Sequence, residues 1–230
     1  MKKTNRVISF FVIVISMALI YTLSVVLLDN SSKINQGKYR VNDIVLLSTV
    51  NVEEKNEKQE QTNISDLVLN LSQSNKISML MSKDEKYNKM YIDNISVSNP
   101  KLLGEIYYTQ EGLEDTFTKI TKETKAIEIY PVEKDEQYFV EMKFENANFL
   151  KDAKIPEDIN KIVYDGTILK NLNVDEGNLK FNIKFNFNIV DITGKKSVCK
   201  FNLTVPNDEI SKNGINITRL DVSDYGFKLK

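Results

Sequence analysis

The 230 residues contain no histidine, no tryptophan and a single cysteine, Cys199. Without histidine there is no Ser-His-Asp triad, no Cys-His pair and no His-ligated zinc. With one thiol there is no internal disulfide, so packing has to hold the fold. Without tryptophan, any stacking on sugars falls to tyrosine or phenylalanine. The eight glycines stand singly along the chain, so no glycine-rich phosphate loop is present. Nor is there an excess of one charge. Thirty-one cations against 32 acids leave a net charge of −1, and basic residues alternate with acidic ones throughout. No nucleic-acid footprint follows, and no long-range field.

What is present begins with an apolar run. Val7 to Leu28 has no charge, proline or glycine, and Lys2, Lys3 and Arg6 precede it. A helix of that length reaches roughly 33 Å, enough to cross a hydrocarbon core of about 30 Å. A cleaved signal peptide would have a shorter apolar stretch followed by a small-x-small site. Here the run ends Val25-Val26-Leu27-Leu28-Asp29. The expectation is one uncleaved span contacting the bilayer through Val7–Leu28. Residues 1–6 would stay in the cytoplasm and the remainder would be exported, as the preceding cations direct. Abundant lysine, asparagine and isoleucine read as the coding bias of an AT-rich, bacterial genome.

Residues 29–63 read as a stalk or linker with room for a short strand in Tyr39 to Val52. Glu53 to Asn63 carries no apolar residue and cannot enter a core. The main domain is expected over 64–230, starting near Ile64. Ile64 to Leu71 fits a helical face and a strand equally well. From Lys76 the pattern becomes extended: Ile77 to Met81, Met90 to Ser98, Gly104 to Thr109, Ala126 to Pro131 and Gln137 to Phe144. Gly112 to Lys125 has Leu113, Phe117 and Ile120 at helical spacing, although four threonines weaken it. Pro156 suits the first turn of a short helix, and Asp165-Gly166 turns the chain into Thr167 to Leu172.

Asn178 to Val205 carries the clearest signal. Phe181, Ile183, Phe185, Phe187 and Ile189 alternate with Lys180, Asn182, Lys184, Asn186 and Asn188. After turn residues Asp191 to Lys196, the sequence Cys199, Phe201, Leu203, Val205 alternates again. This predicts an antiparallel hairpin with one buried face, ended by Pro206. Ile215 to Val222 follows Asn213-Gly214 as the expected last strand. Eight to ten strands with two or three short helices point to a mainly β fold. The predicted body is an antiparallel β-sandwich-like exported domain after one N-terminal transmembrane helix.

Several features carry candidate chemistry. Cys199 falls in register with Phe201 and Leu203, which makes it a small buried hydrophobe before it makes it a nucleophile. The acids at Asp84-Glu85, Asp175-Glu176 and Asp221 to Asp224 lack the ligand spacing of a calcium loop and read as solvated turns. No metal or cofactor is expected. Tyr91-Ile92-Asp93-Asn94-Ile95-Ser96-Val97-Ser98 resembles the closing strand of carbohydrate-binding jelly rolls, which run aromatic–Ile–Asp–Asn–apolar. The resemblance spans eight residues and implies a two-sheet sandwich with a glycan ligand. In those modules the strand closes the domain, whereas here it comes early, so no binding residue is carried over from it.

Three functional expectations follow. The first is a non-enzymatic, membrane-anchored interaction or scaffold module of a bacterial cell envelope, with an envelope protein as partner. The second is a carbohydrate- or peptidoglycan-binding module, with Tyr91, Tyr107 and Tyr108 as glycan contacts. The third is an envelope hydrolase that works without histidine.

Overall fold

The computed structural model describes residues 38–54, 67–82, 85–98, 103–110, 117–134, 136–155, 167–205 and 209–230. Lys38 to Lys230 forms one compact unit, and the other unit, Met1 to Gly37, lies outside the described residues. The apolar run Val7–Leu28 therefore does too. Among the described residues no helix is long and apolar enough to cross a membrane.

The body is β-sandwich-like, built from two antiparallel sheets. Its strands are β1 (Val41–Glu54), β2 (Leu67–Ser82), β3 (Tyr87–Ser98), β4 (Glu105–Gln110), β5 (Thr118–Lys119), β6 (Ala126–Ile129), β7 (Val132–Lys134), β8 (Gln137–Ile155), β9 (Phe181–Asp191), β10 (Lys196–Val205), β11 (Ile215–Arg219) and β12 (Lys228–Leu229). The larger sheet runs β11-β1-β2-β8-β4-β5, with β7 also on β8, and the smaller runs β12-β10-β9-β3-β6.

The β9–β10 hairpin forms in the register its alternation demands: Phe185 lies opposite Phe201 and Phe187 opposite Cys199. Asp191 holds its turn by accepting from Thr193 N at 2.8 Å and Lys195 N at 2.9 Å. Gly194 takes the left-handed φ of 85° that such a turn requires. The apolar face of the hairpin then meets the larger sheet. Phe144 of β8 stacks on Phe185 with ring centroids 6.1 Å apart, and Phe185 on Phe201 at 4.9 Å. Ile44, Leu46, Ile77, Met79, Val140 and Met142 complete this main core from the other side.

β3 shows how a strand keeps its apolar side inward through an irregularity. Met90 and Ile92 are buried, and then the inward positions switch to Ile95 and Val97. A one-residue register shift between Asp93 and Ser96 makes the switch, with Asn94 at φ 51°. Asparagine tolerates that backbone region better than most residues. In β8 the kinks fall at Asn148 (φ 50°) and Asp152 (φ 51°). Their amides are taken up by β2 side chains, Asn148 N by Ser72 Oγ at 2.9 Å and Asp152 N by Asn70 Oδ1 at 3.1 Å.

Beyond those kinks lies a second, smaller core of Leu69, Leu71, Phe149, Ile168, Leu169, Val174, Leu179 and Ile210. Two one-turn helices, Thr167–Asn171 and Ile210–Asn213, supply part of it. A polar row separates the two cores. Gln73 Nε2 donates to Ser48 Oγ at 3.0 Å and to the Leu179 carbonyl at 2.8 Å, and Ser48 Oγ donates to Asn75 Oδ1 at 2.8 Å.

Several expectations are corrected. The folded body begins at Lys38 rather than near Ile64, because β1 is an inner strand, paired with β2 along thirteen positions and with β11 on its other side. Ile44-Val45-Leu46-Leu47 is apolar on both faces, so it shows no alternation to read. The ambiguous stretch before Leu71 is extended from Leu67. The described part of the expected Gly112–Lys125 helix is β5 and a turn. There Thr121 Oγ1 accepts from Glu123 N at 3.2 Å and Thr124 Oγ1 from Thr121 N at 2.9 Å, so threonine side chains compete with a helical ladder. Phe117, expected on its inner face, is exposed. Thr167 to Leu172, for which no element type was expected, opens with the short helix Thr167–Asn171. The last strand is β12, since a 3-10 turn at Val222–Asp224 ends the run that starts with β11. Twelve strands, more than the eight to ten expected, are found among the described residues. The helix expected at Pro156 lies outside them.

Candidate functional site

The structure does not gather the three candidate glycan contacts. Tyr91 stands on the outer face of the smaller sheet, half-buried, opposite Asn188. Its ring is already attended by cations, Lys196 Nζ at 5.0 Å from the centroid and Lys89 Nζ at 5.9 Å. Asp93 beside it accepts from Asn186 Nδ2 at 2.8 Å and lies 3.8 Å from Lys196 Nζ. Asn188, 1% exposed, donates to the Tyr91 carbonyl at 3.4 Å and leaves its Oδ1 without a protein partner.

Tyr107 is on the outer face of the other sheet, where its hydroxyl donates to Glu105 Oε2 at 2.6 Å. Lys119 Nζ holds the other oxygen of Glu105 at 2.6 Å. That contact, with Tyr107, keeps the Glu105 carboxyl below its ordinary pKa, and Glu105 in turn raises the phenol of Tyr107. Tyr108, its neighbour in sequence, points the opposite way. It is 3% exposed, packed edge-on against Phe144 at 5.4 Å, and burial raises its phenol. Tyr91 and Tyr107 are thus on different sheets and Tyr108 is buried, so the three do not form one exposed row.

Cys199 is buried in the main core, and burial pushes its thiol up to about 12. A thiol so placed is not ionised at neutral pH and behaves as a packing residue. Asp175 and Asp221 each cap a 3-10 turn with the side chain, accepting from Gly177 N at 3.0 Å and Ser223 N at 2.9 Å. These two clusters are therefore turn-forming; of Asp84-Glu85, Asp84 lies outside the described residues and Glu85 pairs with Lys38. No group of three or more acidic or thiol side chains placed to hold a metal ion is found among the described residues.

The feature that sequence reading missed is β11. It pairs only with β1 among the described residues, at the border of the larger sheet. Its polarity is reversed relative to the rest of the sandwich. Asn216 is 7% exposed, whereas Ile217 is 67% exposed and Ile215 39%. Sheet register explains the reversal. Asn216 lies opposite Ser48, which lies opposite Asn75, so Asn216 extends the buried polar row. Once Asn216 faces inward, period two sends Ile215 and Ile217 outward. There they join half-buried Val45, Leu47 and Thr49 of β1, the residues across the ladder from Arg219, Ile217 and Ile215. Arg219 fixes the end of the strand by a two-pronged pair with Asp43, Nε to Oδ1 at 2.7 Å and Nη2 to Oδ2 at 2.9 Å. Farther along the same outer face the residues turn charged, with Lys76 Nζ 2.7 Å from Glu141 Oε1 and Lys143 Nζ 3.0 Å from Glu145 Oε2. The result is an apolar stripe beside a strand edge that no other described strand pairs with, bounded by ion pairs. One signal in the sequence pointed to it: Ile215-Asn216-Ile217-Thr218 alternates cleanly but does not say which side is in.

No protein-family model matches the chain, and neither does a curated protein or a solved structure compared with it.

Proposed function

We propose that this chain is a non-enzymatic interaction module of a bacterial cell envelope. In this reading it is tethered by Val7–Leu28, with its N-terminus in the cytoplasm and the sandwich outside. It docks an extended strand of an envelope protein along β11. The observation that carries the reading is the reversed polarity of β11. Isoleucines turned to solvent along a strand edge that no other described strand pairs with are what a strand-adding partner requires. The ladder supplies affinity and the outward side chains supply selectivity. Natural sheet edges are otherwise blunted by charge, proline or a covering element. The stripe Ile215, Ile217, Leu47 and Val45 lacks such a blunting charge except at Arg219, which Asp43 neutralises.

Proximity crosslinking on intact cells tests the proposal, with full-length wild type compared with Ile217→Lys. The expected result is one defined envelope protein, crosslinked to β11 in the wild type and lost in the variant. An unchanged set of captured partners overturns docking through β11. Turnover of an envelope substrate by the purified full-length protein overturns the non-enzymatic reading.

A further inference from the structure

The chain enters the sandwich at Lys38, and the surroundings of that point are distinctive. Lys38 Nζ pairs with Glu85 and lies 3.8 Å from Asp191 Oδ2. The hydroxyl of Tyr39 donates to the Lys86 carbonyl at 3.2 Å. Lys38 is thus held against the β2–β3 connection and the base of the β9–β10 turn. At the tip of that turn stands Ile192, 70% exposed, the most exposed of the large apolar side chains described. Leu229, 60% exposed, is on β12, opposite Ser197 of β10. Lys195 in the same turn and Lys230 next to Leu229 are exposed, and Lys230 N donates to the Lys196 carbonyl at 2.8 Å. Lys86, on the β2–β3 connection, is exposed as well. The acids nearest Lys38 are already engaged. Asp191 is 2% exposed and caps its own turn through Thr193 Oγ1 at 2.7 Å, and Glu85 is paired with Lys38.

An apolar tip ringed by lysines is the composition of a surface that rests on anionic lipid. Chain length favours the same occupant. Only residues 29–37 separate the apolar run from Lys38. Nine residues span at most about 30 Å when fully extended. We propose that the β9–β10 turn lies on the outer face of the membrane. Ile192 enters the headgroup–acyl boundary and Lys195, Lys86 and Lys230 meet lipid phosphates. This rests on the tethered reading given above. It adds a second contact, between the body itself and the lipid surface.

The absence of tryptophan makes the test direct, because one introduced indole is the sole reporter. Full-length Ile192→Trp and, as control, Asn171→Trp at the other core are reconstituted into vesicles of phosphatidylcholine with phosphatidylglycerol. The expected result is a blue-shifted emission for the Ile192→Trp protein alone. Lipids brominated high on the acyl chain should quench it by roughly half, as suits a side chain ~5–10 Å into the boundary. The additional change Lys195→Glu, or phosphatidylcholine alone, should reduce the quenching. Like emission and quenching in the two variants, with the chain retained on the vesicles after a high-salt wash, overturns this proposal and leaves the tether standing. Loss of the chain from the vesicles in that wash overturns the tether and this proposal together.

Discussion

β9 and β11 have the same kind of sequence and opposite outcomes. Phe181 to Ile189 and Ile215 to Thr218 both alternate apolar and polar residues. In β9 the phenylalanines point into the sandwich and the asparagines and lysines point out. In β11 the asparagine points in and the isoleucines point out. Alternation therefore specifies that a strand has two unlike faces, and its neighbours in the sheet decide which face is buried. For β9 the neighbours carry Phe201, Cys199 and Ile92, so the apolar side wins. For β11 the neighbour carries Ser48 in a buried polar row, so the polar side wins.

This contrast can be broken or sharpened by mutation. The largest effect is expected at Phe187, which is fully buried. Phe187→Ala should lower unfolding free energy by about 3–5 kcal/mol, measured by urea denaturation at unchanged m-value. Ser48→Ala comes next, because it takes a donor from Asn75 Oδ1 and an acceptor from Gln73 Nε2 inside the structure. A loss of ~1–3 kcal/mol is expected. A stabilised Ser48→Ala protein would mean that the polar row does not set the orientation of β11.

Asp191→Asn is a smaller change that should be seen in the pH dependence. The hydroxyl of Thr193, the amides of Lys195 and Thr193 and the charge of Lys38 all hold the Asp191 carboxyl below its usual range. A carboxyl depressed in the folded state stabilises it above the unfolded pKa, and that contribution disappears as pH falls through the folded value. Thermal melts of wild type should therefore fall off on the acid side of about pH 4, near the unfolded carboxyl value, and Asp191→Asn should flatten that limb while leaving the neutral-to-alkaline limb parallel. Parallel acid limbs in the two proteins would refute the linkage. The smallest effect belongs to Ile217→Ala, which should change stability by no more than about 0.5 kcal/mol, as for other surface positions. A loss as large as that of Phe187→Ala would show that Ile217 is buried and that β11 is not reversed.

Much of the fold could be read from the residues because it rested on one repeating rule. Phe181 to Ile189 and Cys199 to Val205 gave hairpin, register and the inward thiol together. The turn between them followed from Asp191 and Gly194. The candidate sites were legible only as residue types. Tyr107 and Tyr108 are adjacent in sequence, yet period two sends one to solvent and the other into the core, and Tyr91 is on a different sheet altogether. Period two in the expected strand already puts Tyr107 and Tyr108 on opposite faces, but nothing local says which of them is inward or that Tyr91 belongs to the other sheet. The helix expected at Gly112–Lys125 failed for a related reason: spacing of Phe117 and Ile120 fits a helix, but β4 was available to pair with Thr118 and Lys119.

By itself, then, the sequence determined the apolar run Val7–Leu28, the absence of histidine and disulfide chemistry, and a mainly β body around the β9–β10 hairpin. Those depend on composition and on the period of side chains along one strand. Only the tertiary structure decided that β1 is an inner strand, that a polar row divides the interior into two cores, and that β11 shows its isoleucines to solvent. Those depend on which residue lies across the ladder, and strand partners distant in sequence, such as Ser48 and Asn216, meet only when the sheet is assembled.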